Sequence, residues 1–533
     1  VSRQPRHPAG RAIRRAAIAN LGCKVNQSEM DDVERLLRVR GVELVGGDEP
    51  ADVVVVNTCT VTSIADRKSR QAIRRARRAS PEALLLVTGC TATVDPAAIA
   101  TLDPRALVFD NTAKSRMAIE LARLLDLPEG RPMPTHAGVE PAFEREVLER
   151  WRVEVKGVEA FRAMRGKVET GRGPTGPAAV PKGAGSPGVS PEAERERIEP
   201  GVEPEGACAY ELETEGDDFA ETIDRTRAFV KIQDGCSFHC TYCIIPRARG
   251  PERSISAEAV LAEVHRAVAA GHREIVLTGI NAGTYADGAI TLPALIRRIL
   301  AETPIERIRL SSIEPQHVTD ELLAVWTGSG GRCLPHFHVP LQSGDDTILR
   351  RMGRRYDTAL YRDLLGRIRG AIPDVAFHAD LIAGFPGEDD AAWARTMAFL
   401  RSLDLAGIHV FRYSARPGTP AARMVGQVHG RTKKARAAEA LELSAEARAG
   451  FASRQLGREL WVLFERRLPD GRWIGHAENH VLIEAASPDG SSLENVIGLV
   501  RAEEIDRRSP DRVAGRPVRL SFPQEPLAWQ SAK

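Results

Sequence analysis

The chain has 533 residues, is 43% hydrophobic, and carries 74 Lys+Arg against 72 Asp+Glu for a formal net charge of +2. The length suggests about three domains with ample apolar content for their cores. The near-neutral charge names no partner and confines any nucleic-acid surface to a local patch, and no apolar run approaches the ~18–20 residues of a membrane helix.

The N-terminal stretch Val1 to Arg15 is basic and is followed by no signal-type apolar segment, so a cytoplasmic location is expected. Eight cysteines occur, at 23, 59, 90, 208, 236, 240, 243 and 333. In a long chain without secretory features, clustered cysteines point to metal binding or redox chemistry rather than disulfides.

Residues 13–127 alternate buried-strand and helix patterns. Ala16–Ile18, Val53–Val56 and Leu84–Val87 are short apolar runs that suit parallel strands. Met30–Val39 and Asp66–Arg78 are helical, which gives a doubly wound parallel sheet. Cys23, Cys59 and Cys90 each fall just past the C-terminal end of a predicted strand. In a parallel sheet those ends share one edge, where ligands bind. Three thiols converging there could hold three irons of a cluster; the other reading is three buried core cysteines. The helix Asp66–Arg78 carries dense positive charge, which can hold phosphates or simply form a solvated face.

Residues 128–224 are rich in Pro, Gly and charge, and the stretch Gly171–Pro191 is low in complexity. Such a segment cannot bury enough apolar surface to offset its ordering entropy. It is expected to be a disordered insertion, with one helix near Phe143–Trp151 and a plain thiol at Cys208.

Residues 225–453 give six strand signals separated mostly by helices: Ala228–Gln233, Glu274–Thr278, Arg307–Ser311, His336–Pro340, Ala376–Ile382 and Ile408–Phe411. Six βα repeats predict an open, partial (β/α)6 barrel. Directly after the first strand comes Cys236-Ser-Phe-His-Cys240-Thr-Tyr-Cys243, a Cys-x3-Cys-x2-Cys loop. Three thiolates in one tight loop can reach three irons of a [4Fe–4S] cube. The fourth iron stays open to chelate the amino and carboxylate groups of S-adenosylmethionine (SAM). A zinc site would need a fourth ligand, and His239 lies inside the loop, where ligation would strain it. Tyr242 suits a ring covering the cluster or the adenine. Arg247 and Arg249 could contact SAM or phosphate, or be surface charges, and Cys333 precedes a strand and is expected to be structural. Residues 454–524 carry short strands at Leu460–Phe464, Trp473–Ala477, Val481–Ala485, Val496–Arg501 and Val518–Phe522, without intervening helices, which predicts a small β-barrel.

These segments resemble the radical-SAM superfamily. Leu277-Thr-Gly-Ile-Asn-Ala-Gly283, Ser311-Ser-Ile-Glu-Pro315 and Asp380-Leu-Ile-Ala-Gly-Phe-Pro-Gly-Glu388 follow the cysteine loop in register. The resemblance implies SAM contacts at Gly279, Ser311, Glu314 and Gly384. Asn20-Leu-Gly-Cys-Lys-Val-Asn-Gln27, Asn57-Thr-Cys-Thr-Val-Thr62, Thr88-Gly-Cys90, His338-Val-Pro-Leu-Gln-Ser-Gly344, Arg351-Met-Gly-Arg-Arg-Tyr356 and Tyr413-Ser-Ala-Arg-Pro-Gly-Thr-Pro420 further resemble the methylthiotransferase family, whose C-terminal TRAM domain is matched more loosely around Gly475-His-Ala-Glu-Asn-His480.

That family resemblance implies two [4Fe–4S] clusters, one on Cys236, Cys240 and Cys243 and an auxiliary one on Cys23, Cys59 and Cys90. It implies SAM as methyl donor and as radical source, and names no catalytic residue beyond the ligands. Cys23-Lys-Val-Asn-Gln27 and the run Thr58 to Gln71 look most like the branch that methylthiolates N6-threonylcarbamoyladenosine in tRNA. Branches acting on isopentenyladenosine or on a ribosomal-protein aspartate are the alternatives, and a zinc-containing, non-catalytic RNA-binding protein is the alternative of another class. The expected partners are tRNA and an electron donor, with no membrane and no stable protein partner.

Overall fold

A computed structural model of the chain describes residues 13–114, 117, 121, 226–506 and 509–520. The expected insertion, its helix near Phe143–Trp151 and Cys208 lie outside the described residues.

The first unit is a five-stranded, all-parallel sheet in the order β2-β1-β3-β4-β5. Its strands are β1 (Arg15–Asn20), β2 (Glu43–Leu44), β3 (Val53–Thr58), β4 (Leu84–Gly89) and β5 (Leu107–Val108). Helices α1 (Lys24–Val39), α2 (Ser63–Ala79), α3 (Cys90–Val94) and α4 (Pro96–Leu102) connect them. Strand alternation sends Val53 and Val55 toward Met30, Val33 and Leu37 of α1, while Val54 and Val56 meet Ile73 and Ala76 of α2. Both faces are therefore covered, as a parallel sheet requires, and each of these valines contributes about 2 kcal/mol by burial. The edge strands β2 and β5 were not expected; each has two residues and is partly exposed, so no apolar run marks it.

The second unit holds two parallel three-stranded sheets. One is β6 (Arg227–Lys231), β9 (Glu274–Thr278) and β12 (Arg307–Leu310); the other is β13 (His336–His338), β14 (Ala376–Ala383) and β15 (Gly407–Arg412). Isolated parallel bridges Ile308 to Cys333 and Ser312 to His338 join them into the partial barrel that the βα repeats predict. A short antiparallel pair, β7 (Gln233–Asp234) with β8 (Arg253–Ser254), closes the base of the cysteine loop. A second, β10 (Ala286–Asp287) with β11 (Ile290–Thr291), forms a small hairpin.

The third unit is a closed barrel, β16-β17-β18-β20-β19. It comprises β16 (Glu459–Arg467), β17 (Trp473–Ala477), β18 (Leu482–Ala485), β19 (Ile497–Ile505) and β20 (Arg512–Arg519). The last strand starts well before the expected Val518, because its sequence RVAGRPVR is polar and carries a Gly and a Pro. Among the described residues, no helix is long and apolar enough to cross a membrane.

Two buried arginines fasten the barrel to the second unit. Arg309 donates to the carbonyls of Ala477 at 2.8 Å and Glu478 at 3.1 Å, and Arg307 to those of His476 and Trp461. Glu274 pairs with both, at 2.8 Å to Arg307 and 2.7 Å to Arg309. Burial would raise its carboxyl pKa, but Arg309, Arg307 and Arg227 hold it below the usual range. Burial and the neighbouring guanidiniums conversely bring Arg309 down to about 10. One carboxylate thus serves several cations. Glu274→Ala leaves two buried guanidiniums unpaired and should cost about 3–5 kcal/mol in urea unfolding, whereas Glu321→Ala, which breaks the half-exposed pair with Arg297, should leave the midpoint unchanged.

Candidate active site

The three N-terminal cysteines meet at the C-terminal edge of the parallel sheet. Cys23 is the N-cap of α1, Cys59 directly follows β3, and Cys90 is the first residue of α3. A Cβ built on Gly22 would lie 3.1 Å from Cys59 Sγ, which shows how closely the first two loops approach. Gly89 has φ +99°, and a Cβ there would sit 2.2 Å from the Thr58 carbonyl oxygen. Only glycine can therefore turn the chain out of β4 and bring Cys90 beside the β3 end. The asparagines of the same motifs hold the loops. Asn26 donates to the Leu21 carbonyl at 2.6 Å, and Asn57 to the Asn26 carbonyl at 3.0 Å. Ser69 accepts from the Cys59 amide and donates to its carbonyl, both at 3.0 Å. Cys59 and Cys90 are buried and Cys23 is exposed. Burial pushes the Cys59 and Cys90 thiols up, so binding a cation there means exchanging a proton for it.

The loop Cys236–Cys243 lies across the partial barrel mouth. Its base is tied by the Cys236 amide donating to the Gly250 carbonyl at 3.0 Å, and Gly235, at φ +70°, leaves no room for a side chain against the Pro251 carbonyl. The Cys236 sulfur accepts from the Phe238 amide at 3.4 Å. The Cys240 sulfur accepts from Arg354 at 3.4 Å, and the same guanidinium bonds Tyr356 and pairs with Glu314. Arg354 was not singled out from sequence; it lies 114 residues from Cys240. Burial pushes the Cys243 thiol up to about 12 and lifts Tyr242 well above its usual value. The seven described cysteines are all free thiols. Two sets of three unpaired thiols, with N–H donors directed at the sulfurs of the second, fit thiolate-held iron clusters.

Both sets border one cavity of about 780 Å³. Cys23, Cys236, Cys240 and Cys243 line it, and the barrel adds Arg466, His476 and Arg512. Of the residues expected to contact SAM, Gly279, Ser311 and Glu314 lie on its wall. Gly384 is not among the lining residues; its bare Cα makes room for Lys433. Asp380, also on the wall, accepts from His338 at 2.8 Å and His409 at 3.3 Å. Burial would raise its carboxyl pKa, but the two imidazoles hold it well below the usual range. Cys333 is buried in the main core, as a structural residue would be.

Arg249 contacts neither cavity nor solvent. Its side chain is fully buried, and it donates to Glu29 at 3.1 Å, to Asp234 at 2.8 Å and to Asn26. Lys231 bonds Glu29 at 3.1 Å and Asp234 at 3.0 Å, and Lys114 also bonds Glu29. Burial would raise Glu29, but Arg249, Lys114 and Lys231 hold its carboxyl well below the usual range. Arg247 instead reaches the Pro417 carbonyl at 2.9 Å. On α2, Arg67, Arg74 and Arg78 remain exposed, while Arg75 pairs with Asp48 and Arg77 with Asp103.

Residues 230–400 match the model of the Radical SAM superfamily, and residues 15–110 match that of uncharacterized protein family UPF0004. The threonylcarbamoyladenosine tRNA methylthiotransferase MtaB of Bacillus subtilis is 34% identical, with 88% of this chain and 89% of the relative covered. The MtaB protein of Treponema pallidum is 33% identical over 84% and 90% of the two chains. The tRNA-2-methylthio-N(6)-dimethylallyladenosine synthase of Maricaulis maris is 29% identical over 93% and 96%.

Replacing Arg249 with Met keeps its volume and removes its charge. Arg249→Met should lower stability by about 3–5 kcal/mol, read by denaturant unfolding. Arg249→Lys should restore part of the loss.

Proposed function

We infer that the chain, which belongs to the radical-SAM methylthiotransferase family, adds a methylthio group to C2 of N6-threonylcarbamoyladenosine at position 37 of tRNA, next to the anticodon. The observation that carries this reading is the shared cavity: Cys23 faces it from the parallel-sheet unit, and Cys236, Cys240 and Cys243 face it from the partial barrel. When bound, an iron–sulfur cluster on Cys236, Cys240 and Cys243 supplies the electron that cleaves SAM, and one on Cys23, Cys59 and Cys90 supplies the site for the sulfur to be transferred.

The chain's own residues do the positioning. Gly279, Ser311 and Glu314 form the wall on which SAM would rest beside the Cys236 loop. Arg354 holds Glu314 and the Cys240 sulfur in fixed relation. His338 and His409 keep Asp380 ionised on the same wall. Arg466 lines the cavity from the barrel, and Arg67, Arg74 and Arg78 form an exposed basic face of α2 that suits tRNA phosphates. Residues of all three units line the cavity, so a carbon radical formed there is held beside its sulfur donor. A tRNA substrate and thiol-held iron both suit the reducing cytoplasm.

Two measurements test this. In tRNA nucleosides from cells lacking the gene, mass spectrometry should show loss of 2-methylthio-N6-threonylcarbamoyladenosine and build-up of its unthiolated precursor; an unchanged profile would overturn the tRNA assignment. With purified, iron-loaded protein, Cys236→Ala should abolish 5′-deoxyadenosine formation. Cys59→Ala should retain part of it yet give no methylthio product. Full product from Cys59→Ala would remove the second cluster from the reading.

A further inference from the structure

Thirteen histidines occur in the chain, and six of them gather where the second unit meets the barrel. His336, His338, His378, His409, His476 and His480 line a separate cavity of about 70 Å³. Three of these take no part in the larger cavity: His336 on β13, His378 on β14, and His480 in the turn between β17 and β18. One ring nitrogen from each of the three lies within 4.8 Å of the others.

We propose that His336, His378 and His480 bind a divalent transition metal ion, zinc by the chemistry of the donors, which fastens the barrel to the partial barrel. The ligand set is nitrogen only, and neutral imidazole is a common zinc ligand. His336 Nε2 and His378 Nδ1 share a hydrogen bond at 3.1 Å, close to the ~3.3 Å between two nitrogens on one tetrahedral zinc, so an ion would replace the shared proton with little movement of the rings. His480 stacks on His336 with ring centroids 4.3 Å apart, so its ring would turn out of the stack to bring a nitrogen onto an ion held by His336. The cavity exceeds the ~10–15 Å³ that one water needs, which leaves room for a water as fourth ligand.

Two further features agree. His480 sits at φ +70°, a left-handed conformation that is unfavourable for a residue with a Cβ and persists where surroundings demand it. Gly407 would bring a Cβ within 2.9 Å of the His378 ring, so the ring occupies space that only glycine leaves. Lys24 and Arg448 also line this cavity and oppose an unshielded dication, while Asp511 beside them pairs with Arg448 at 3.1 Å.

The test uses full-length, iron-loaded protein. It is incubated anaerobically with one equivalent of zinc sulfate, desalted, and assayed for zinc and iron by mass spectrometry and for zinc ligands by X-ray absorption. The expected result is about one zinc retained per chain with an all-nitrogen/oxygen shell that includes imidazole, and unchanged iron. His480→Asn tolerates the same backbone conformation but lacks the ring, and with His336→Gln it should weaken zinc binding at least tenfold at unchanged iron content. Failure to retain zinc, sulfur in its shell, or equal retention by both variants would overturn the proposal. Should a variant fail to fold, the wild-type zinc shell decides: imidazole upholds the site and sulfur removes it.

Discussion

The arrangement depends first on a buried charge cluster centred on Arg249. Asn26, Glu29 and Lys114 come from the parallel-sheet unit, and Lys231, Asp234 and Arg249 from the partial barrel. Removing charges from water is costly, and partners repay it only when the geometry is good and every group is bonded. Such a cluster tolerates little displacement, so it sets the relation between the two cysteine groups more sharply than apolar packing would. It also carries a residual positive charge, from Lys114, Lys231, Arg249 and Arg253 against Glu29 and Asp234. Arg249 interacts with Cys90 and Cys23, so that excess lies where three thiolates would concentrate negative charge. The same guanidinium therefore orients Asn26, joins the units and compensates the sulfur site.

A second buried arrangement brings in the barrel. Arg307 and Arg309, alternate residues of β12, bond carbonyls of the barrel's β16 and β17 region, with Glu274 as their common counter-charge. Backbone carbonyls are poor at discriminating sequence but good at fixing position. The barrel is thereby held so that Arg466, His476 and Arg512 complete the cavity. An appended module free to swing would leave that wall open to water. The histidine cluster lies at the same seam, which is where an additional ion would restrain the barrel most.

Much of this was legible in the chain because it is local. Short apolar runs ending in Gly-Cys or Thr-Cys announced both the strands and the thiols at their ends, and Cys-x3-Cys-x2-Cys is compact enough to be read without knowing the fold. The partners that hold the thiols were not legible. Arg249 bonds Glu29 across 220 residues and Arg354 reaches Cys240 across 114, and no spacing rule links such pairs. Read alone, an Arg-x-Arg after a cysteine loop suggests a ligand contact or surface charge; burial turned one of the two into the keystone of the structure. β20 was misplaced for a different reason. In a small closed barrel the outward residues are polar, and Arg512–Arg519 shows more charge than apolar alternation.

The two cysteine groups also differ in exposure, and the difference bears on their division of labour. All three cysteines of the Cys236 loop line the large cavity, whereas of the N-terminal three only Cys23 does. Cys59 and Cys90 are buried behind it, backed by Ser69, Thr91 and Asn111. A cofactor held by the loop would thus face the cavity broadly, as required where SAM must enter, be cleaved and leave. One held by the N-terminal three would meet the cavity along a single edge. Such an edge would suit a sulfur donor, because Cys59 and Cys90 would hold the group from behind while Cys23 alone borders the cavity. Cys23 is also the N-cap of a 16-residue helix, whose dipole favours negative charge at that edge and adds to the charge of Arg249 behind it.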